Sequence, residues 1–236
     1  HIGMATKAEF SEKEGGIHKI TIDGSKVIYA KTVIISTGAT AKYLGLPSEQ
    51  RLRGGGVSAC AVCDGFFYKN QDVATVGAGD TAAEEAPYLS NICKRVTMIV
   101  RKDKMTATKA MQHRVENTPN LRVLYNTEVE EVLGDQVVEG LKMINNFTNE
   151  TSEIAITGLF IAIGHKPNTD IFADQLTMDE TGYLITDAKT AKTNLPGVFA
   201  AGDVQDKDYR QAITAAGSGC MAALDAERYL SMLESE

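Results

Sequence analysis

Apolar residues are spaced along this chain in different ways, and the spacing predicts which segments form strands. Apolar and polar residues alternate from Ile17 to Ile22 and again from Val27 to Ala30, with Asp23-Gly24-Ser25 between them. Alternation on both sides of a glycine-containing turn predicts a β-hairpin. Val33 to Gly38 is instead a short continuous apolar run, which is typical of a buried parallel strand.

A strand, a glycine-containing turn, a helix and a second strand follow one another between residues 72 and 100. The first strand is predicted from Val73 to Val76, the helix from Thr81 to about Asn91 and the second strand from Arg95 to Val100. This order predicts a βαβ unit. The other predicted elements are strands at 121–125, 137–145 and 154–163, short extended segments at 182–186 and 198–201, and a long helix from Gln211 to about Leu233 with an apolar stripe at Ile213, Ala216, Cys220, Ala223 and Leu224.

Composition and charge narrow the possible functions. The 236 residues are 43% apolar and include five prolines, which predicts a globular protein. The formal charge of -7 would repel nucleic acids and anionic membranes. No apolar run approaches the roughly 20 residues that span a bilayer. Residues 1–30 carry no signal-peptide pattern, so we expect a cytosolic protein and regard the Asn-x-Thr triplets at Asn146 and Asn149 as chance matches.

The turn after the first βαβ strand has the spacing of a dinucleotide-binding motif. Gly77 allows a tight turn, Gly79 removes a side chain where a pyrophosphate approaches the backbone, and Ala82 keeps the helix close to the sheet. The phosphates then lie at the helix N-terminus. A G-x-G-x-x-A string alone is a weak signal, but here it falls at a strand-to-helix junction, which favours a dinucleotide site over an ordinary turn.

The end of the second βαβ strand bears on which dinucleotide is bound. An NAD site usually places an acid there, whereas an NADP site places a cation against the 2′-phosphate. Arg101 and Lys102 occupy this position and Asp103 follows. We therefore expect NADPH, although the two cations could also be a solvated strand end.

Two cysteines with a redox spacing precede the βαβ unit. Cys60 and Cys63 can close a small disulfide, and a helix beginning near Cys60 would lower a thiol pKa. Asp64 is a candidate proton donor and acceptor, or simply an Asp in a solvated turn. A structural zinc site needs four ligands, and neither the other cysteines nor the histidines of this chain have the spacing of metal ligands. We expect no metal, and we expect Cys93 and Cys220 to be buried, small apolar residues.

Several long strings resemble the low-molecular-weight, bacterial-type thioredoxin reductases. The resemblance covers almost the whole chain and is carried by residues 58–68, by residues 79–86, by Val198-Phe199-Ala200-Ala201-Gly202-Asp203, and by the run from Tyr209 to Tyr229. It implies a homodimeric two-domain flavoenzyme in which NADPH reduces FAD, the flavin reduces a Cys-x-x-Cys disulfide, and the dithiol reduces thioredoxin.

The same resemblance assigns roles to individual residues. Cys60 and Cys63 would be the redox pair, with Cys63 facing the flavin, Cys60 attacking thioredoxin and Asp64 acting as acid and base. The residues expected at the NADPH site are Gly77, Gly79, Asp80, Thr81, Arg101 and Lys102. The residues expected at the FAD site are Thr37, Gly38, Gly202, Asp203, Arg210, Gln211 and Ala212.

The implied fold is α/β, with a Rossmann-like NADPH-binding domain inserted in an incomplete FAD-binding domain of the type found in flavoproteins with two dinucleotide-binding domains. The expected boundaries are 1–42 for the first part of the FAD domain, 43–164 for the NADPH domain with the redox pair, and 165–236 for the second part. No G-x-G-x-x-G motif precedes Gly38, so we expect an N-terminally truncated chain in which FAD binding is weak or lost and activity impaired.

A second departure from the family lies in the NADPH site. The family commonly shows His-Arg-Arg and a further Arg, whereas this chain has Val100-Arg101-Lys102 and Thr106. An ammonium does not replace a bidentate guanidinium without loss, so we expect a weaker preference for NADPH, with dual use or NADH use as the alternatives.

Three other interpretations stay open. One is a related flavoprotein that reduces a peroxiredoxin, and another is a ferredoxin-fed disulfide reductase, which Arg101 and Lys102 disfavour. The third is a non-catalytic nicotinamide-binding or interaction fragment that pairs with a second copy.

Overall fold

The structure of the protein is a computed structural model that describes residues 2–235. The helices are α1 (Pro47–Arg51), α2 (Ala61–Asp64), α3 (Asp80–Ser90), α4 (Lys109–Glu116) and α5 (Ala212–Glu234). The strands are β1 (Ala5–Glu9), β2 (His18–Ile22), β3 (Lys26–Ala30), β4 (Val33–Ile35), β5 (Ala39–Ala41), β6 (Val57–Ser58), β7 (Asp72–Val76), β8 (Arg95–Ile99), β9 (Leu121–Leu124), β10 (Thr127–Leu133), β11 (Gly140–Asn145), β12 (Thr151–Ala155), β13 (Gly158–Ile161), β14 (His165–Pro167) and β15 (Val198–Ala200).

The chain forms two compact units. Unit 1 contains the residues up to Thr40 together with those from His165 onward, and unit 2 runs from Ala41 to Gly164. Unit 2 has a five-stranded sheet in the order β6-β13-β7-β8-β9 and a three-stranded sheet in the order β10-β11-β12. The first sheet is parallel throughout and the second is antiparallel.

Alternate residues of the parallel strands fill two separate cores in unit 2. Val73 and Phe160 belong to a core that α3 contributes to, whereas Ala74 and Leu159 belong to a core shared with the antiparallel sheet. Successive side chains of a strand point to opposite faces, and both faces are covered here. This explains why β7 and β13 are almost continuously apolar.

Unit 1 contains the hairpin sheet β1-β2-β3 and a parallel pair, β4 and β15. Val33 pairs with Val198 and Ile35 with Ala200, although the two strands are far apart in sequence. Ile35, Val198 and Ala200 are buried in one core with residues of β1 and of the segment 172–204. The parallel pair places the loops that follow β4 and β15 at the same edge.

Most of the predicted elements are confirmed and one predicted strand is wrong. The hairpin, the parallel strand at 33–35, the βαβ unit and the long C-terminal helix are present. The predicted strand at 154–163 is two strands in different sheets, because Ile156-Thr157 separates β12 from β13. The elements that were not predicted from the sequence are β1, β5, β6, β10, β14, α1 and α4.

The prediction for Cys220 is also wrong. Cys220 is exposed, and Ile213, at the start of the predicted apolar stripe, is 81% exposed. The packed face of α5 is Ala222, Ala226 and Tyr229, which form a core with residues of β15. The helix contacts the sheet through these small and aromatic residues, so the stripe that contains Cys220 lies on another face.

Cys93 is buried, as expected, and its burial has a measurable consequence. Burial raises the pKa of the Cys93 thiol from 9.0 to about 11. The folded state therefore favours the neutral thiol, and this contribution to stability is present below pH 9 and is lost as the pH rises toward 11. We expect the wild-type protein to lose about 2 kcal/mol of unfolding free energy in this way by pH 11.

Urea unfolding followed by circular dichroism from pH 8 to pH 11 measures this loss. Cys93→Ala should show a shallower decline than the wild type, whereas Cys220→Ala, which removes an exposed thiol, should follow the wild-type curve. Parallel curves for the wild type and Cys93→Ala would contradict the assignment.

Candidate functional site

Gly77 sits where the turn after β7 meets the end of β13. Its amide donates a hydrogen bond to the Ile99 carbonyl oxygen at 3.1 Å. A Cβ atom at this position would overlap the Ala162 carbonyl oxygen and would lie 2.7 Å from the Ala82 Cβ. Only glycine fits here without moving β13 or α3, so the predicted role of Gly77 in a tight turn agrees with the geometry.

Gly79 is different, because the space beside it is open. It is the N-cap of α3 in an extended conformation, and no side chain caps this helix. A Cβ atom there would meet only Thr106 Oγ1, at 3.8 Å. The first-turn amides of a helix have no partner within it, and at the start of α3 the space beside Gly79 is open. This arrangement suits a phosphate group.

The loop after β8 is folded onto this turn. The amides of Thr106 and Ala107 donate to the Ala78 carbonyl oxygen at 2.8 and 3.0 Å. The Asp80 carboxylate accepts from the Thr108 amide at 2.8 Å. Asp80, predicted as a cofactor contact, therefore also fixes this loop at the start of α3, where Thr81 follows it.

The turn and the loop border a cleft of about 530 Å³ in unit 2. Arg101 and Lys102, the predicted cations, both lie on it, as does Thr106, at the position where the family commonly has a third Arg. The other residues that line the cleft are Tyr43, Leu44, Leu46, Val76, Gly77, Ala78, Ile99, Thr127, Glu128, Val129 and Ile163. Of the residues predicted from the glycine and cation motifs, Gly77, Arg101 and Lys102 line the cleft, whereas Gly79, Asp80 and Thr81 follow at the start of α3 without lining it. The cleft has the size of a cofactor site.

The loop of Tyr43 and Leu44 forms a wall of the cleft, and no sequence motif indicated this role. Glu49 of α1 is fully buried, and its carboxylate accepts from the amides of Leu44 and Gly45, both at 2.9 Å. The Arg53 guanidinium lies 3.5 Å from the centre of the Tyr43 ring. A buried carboxylate requires such partners, so Glu49 fixes the loop.

Cys60 and Cys63 form a disulfide at the start of α2. Cys60 is the N-cap of the helix, and its Sγ accepts from the Cys63 amide at 3.2 Å. The Cys60 amide donates to Ser58 Oγ at 3.0 Å, which fixes the turn from β6 into α2. Cys60 is half-buried and Cys63 is exposed.

Asp64 and three aromatic residues follow the disulfide directly in the chain. Burial, and then the charge of Asp64, raise the pKa of Tyr68. The Tyr68 ring packs edge-on against Phe160 at 5.5 Å, and a Cβ atom at Gly158 would lie 2.8 Å from that ring. Phe66 and Phe67 are 69% and 74% exposed, so an apolar surface lies beside the redox pair.

The residues predicted for FAD lie in unit 1. Thr37 and Gly38 follow β4, and Gly202 and Asp203 follow β15, so the parallel pairing brings these loops to one edge. Gly38 has a φ of +71° and open space beside it, and the Gly202 amide donates to Ser218 Oγ of α5 at 2.9 Å. The other predicted residues start α5, where Gln211 is the N-cap, Ala212 the first helical residue and Arg210 the residue before them.

Two surveys of residues 2–235 concern metals and membranes. No group of three or more potential metal ligands occurs in this range. None of the helices in it is long and apolar enough to cross a bilayer.

Comparisons with known proteins agree with this geometry. The sequence profile of the pyridine nucleotide-disulphide oxidoreductase family matches residues 4–219. A thioredoxin reductase of Streptomyces coelicolor is 53% identical over 222 residues, which are 94% of this chain and 69% of that protein. One from Rickettsia bellii is 54% identical over 212 residues, covering 88% of this chain and 68% of that protein. The structure of thioredoxin reductase from Giardia duodenalis superimposes with a TM-score of 0.90 at 39% identity, over 97% of this chain and 74% of that one.

The two glycines of the turn give a matched pair of variants. Gly79→Ala should fold with an unchanged melting temperature, because the added methyl group has space, but it should weaken NADP⁺ binding about tenfold by keeping the pyrophosphate from the backbone. Gly77→Ala should instead lower the melting temperature, since its methyl group overlaps Ala162.

Isothermal titration calorimetry and thermal denaturation measure the two effects. Wild-type affinity for NADP⁺ in Gly79→Ala would show that no pyrophosphate lies at this turn.

Proposed function

The chain belongs to the thioredoxin reductase family of pyridine nucleotide-disulphide oxidoreductases, and we propose that it uses NADPH as electron donor and the Cys60–Cys63 disulfide as redox centre. Its class is that of the flavin disulfide oxidoreductases, with thioredoxin as the substrate. The observation that carries the proposal is that one compact unit holds both a disulfide and a glycine-turn cleft with two cations. The names of its relatives favour thioredoxin over a peroxiredoxin as the acceptor.

NADPH fits the cleft of unit 2. The first-turn amides of α3 and the open space at Gly79 suit its pyrophosphate, and Asp80 and Thr81 begin that helix. Arg101 and Lys102 suit its 2′-phosphate, since both are exposed on the cleft and carry the opposite charge. These residues bind and orient the dinucleotide.

FAD, when bound, supplies the two-electron chemistry that connects a reduced nicotinamide to a disulfide. We propose that Thr37, Gly38, Gly202, Asp203 and the start of α5 would hold its ribityl and ring portions, since the parallel strands end there. In the described part of unit 1, no parallel strand leads through a glycine turn directly into an α-helix, as β7 does in unit 2. A pyrophosphate groove of that kind is therefore lacking there, and we propose that the affinity for FAD is weak.

The thiol half-reaction uses the residues of α2. Two electrons and two protons convert the disulfide into the Cys60 and Cys63 thiols. The Cys60 thiolate then attacks the thioredoxin disulfide, which forms a mixed disulfide and releases one thioredoxin thiolate. The Cys63 thiolate attacks Cys60 Sγ, re-forms the intramolecular disulfide and releases the second thioredoxin thiolate. We propose that Asp64, the residue after Cys63, takes and returns the thiol protons.

Two features bear on which cysteine attacks. The Cys63 amide donates to Cys60 Sγ, and such a hydrogen bond stabilises a thiolate on Cys60. Exposure favours the opposite order, because Cys63 is the more exposed of the pair. We propose that Cys60 attacks, since a nucleophile must first be ionised and the hydrogen bond favours its thiolate.

The exposed side chains around the disulfide suit a protein substrate. Val62, Phe66 and Phe67 are exposed, and large apolar side chains clustered on a surface mark interaction sites. We propose that the surface beside the reactive disulfide of thioredoxin packs on this patch.

Trapping of the mixed disulfide tests the thiol half-reaction without FAD. Cys63→Ser leaves Cys60 free, and it should displace thionitrobenzoate from a thioredoxin whose single cysteine carries that group at least about tenfold faster than Cys60→Ser does. Release of the yellow anion gives the rate, and non-reducing electrophoresis gives the adduct. Faster reaction of Cys60→Ser would reverse the assigned roles, and no adduct with either variant would exclude thioredoxin as the acceptor.

Visible absorption tests the flavin proposal. The purified chain should retain less than one equivalent of FAD after incubation with the cofactor and desalting, because the described residues of unit 1 contain no strand, glycine turn and α-helix in the order that β7 begins in unit 2. In the presence of excess FAD, NADPH should bleach the flavin band and thioredoxin should be reduced. A stoichiometric flavin band that survives desalting would contradict weak binding.

We propose that two copies of the chain pair, as the family resemblance implies, and that the protein works in the cytosol. Sedimentation of the chain at several concentrations tests the first, and fractionation of the cells that produce it tests the second.

A further inference from the structure

The cleft of unit 2 contains a carboxylate among its cations. Glu128, at the start of β10, lines the same cleft as Arg101 and Lys102. Among residues 2–235, neither cation has an ion pair with Glu128 or with any other acid. The region that would receive a 2′-phosphate therefore contains charges of both signs.

Asn146 holds Glu128 in this position. The Asn146 side-chain amide donates to Glu128 Oε1 at 2.9 Å and to the Arg101 carbonyl oxygen at 2.8 Å. The two N–H bonds of an amide diverge by 120°, so these acceptors lie roughly 5 Å apart. Asn146 thus links the Glu128 carboxylate to the end of β8, which is the position that distinguishes the two dinucleotides.

The surrounding backbone makes this arrangement rigid. The Asn126 amide donates to the Lys102 carbonyl oxygen at 3.0 Å, and the Asn146 amide donates to the Asn126 carbonyl oxygen at 2.7 Å. Directly after Glu128, the register of the β10–β11 pair is irregular between Val129 and Glu131. Bulges of this kind often re-aim side chains beside functional sites.

We propose that Glu128, positioned by Asn146, is a specificity-determining residue of the dinucleotide site. Its carboxylate accepts a hydrogen bond from a hydroxyl of the adenosine ribose and repels a 2′-phosphate. The preference for a phosphorylated dinucleotide is therefore smaller than Arg101 and Lys102 alone would produce, and the site accepts NADH as well as NADPH. This inference rests on the proposed function, because it requires that the cleft binds a dinucleotide.

The charge arrangement gives the physical reason. An acid that meets the ribose hydroxyl is the usual feature of sites for the unphosphorylated dinucleotide, and cations are the usual feature of sites for the phosphorylated one. The phosphate carries close to two negative charges, so a nearby carboxylate repels it and opposes its binding. A neutral hydroxyl is not repelled.

The test compares two ligands that differ only in the phosphate, 2′-phospho-ADP-ribose and ADP-ribose, by isothermal titration calorimetry on the whole chain. Glu128→Gln keeps the shape of the side chain and an oxygen that can accept from Asn146, but it removes the charge. We expect the affinity ratio between the two ligands to shift about tenfold toward the phosphorylated one. The shift should shrink at high ionic strength, which a merely structural change would not produce.

A matched control and a second variant accompany this measurement. Glu131→Gln removes a charge from the same strand at an exposed position that does not line the cleft, and should leave the ratio unchanged. Asn146→Ala should shift the ratio in the same direction as Glu128→Gln, but less, because it releases the carboxylate without removing it.

The outcomes separate this inference from the proposed function. A wild-type chain that binds neither ligand would overturn the dinucleotide site itself. Binding of both ligands with the same ratio in the wild type and Glu128→Gln would leave the site intact and overturn the role of Glu128. An equal shift in Glu131→Gln would also overturn it, since the effect would then be one of net charge.

Discussion

The close approach of the Gly77 backbone to the end of β13 is the constraint on which unit 2 depends. The Gly77 amide bonds to Ile99 on one side, and the Ala162 amide bonds to the Val76 carbonyl oxygen at 2.8 Å on the other. No side chain fits between these strands at Gly77. The turn therefore leaves the sheet in one direction, which fixes where α3 begins and where Gly77 and Ala78 line the cleft.

Helix α3 connects the turn at Gly77 with the segment that follows the redox pair. At its start are the open amides and Asp80, which orders the loop through Thr108. Near its end, Leu89 packs so closely on the turn after α2 that a Cβ atom at Gly65 would lie 2.9 Å from it. Eleven residues at 1.5 Å each make the helix about 16 Å long, so one element connects the turn beside the cleft with the turn after the disulfide.

The parts of this site that could be predicted from the sequence are the local ones. The glycine turn, the cations after β8 and the Cys60–Cys63 spacing each lie within a few residues, and local sequence is enough to place them on a turn or strand end. Glu128 could not be found in this way. It stands in a segment of alternating acids and valines that resembles a solvated surface, and only the pairing of β10 with β11 brings it to Asn146. Glu49 was missed for a related reason, because nothing local marks it as buried in a segment that reads as a connector.

The fold shows the same division between local and non-local information. The strand predicted at 154–163 was wrong because a continuous apolar run does not reveal that its halves pair with different sheets. The stripe on α5 was misleading because the helix has small or apolar residues on more than one face. The packed face was selected by its partners instead: Tyr229 lies 6.3 Å from Phe199 between ring centres, and Asp225 accepts from the Ala191 amide at 2.9 Å. Asp225 is therefore buried on the packed face of α5, and Cys220 is exposed on the apolar stripe. The neighbours of the helix decide which face is buried, and its own hydrophobic pattern does not.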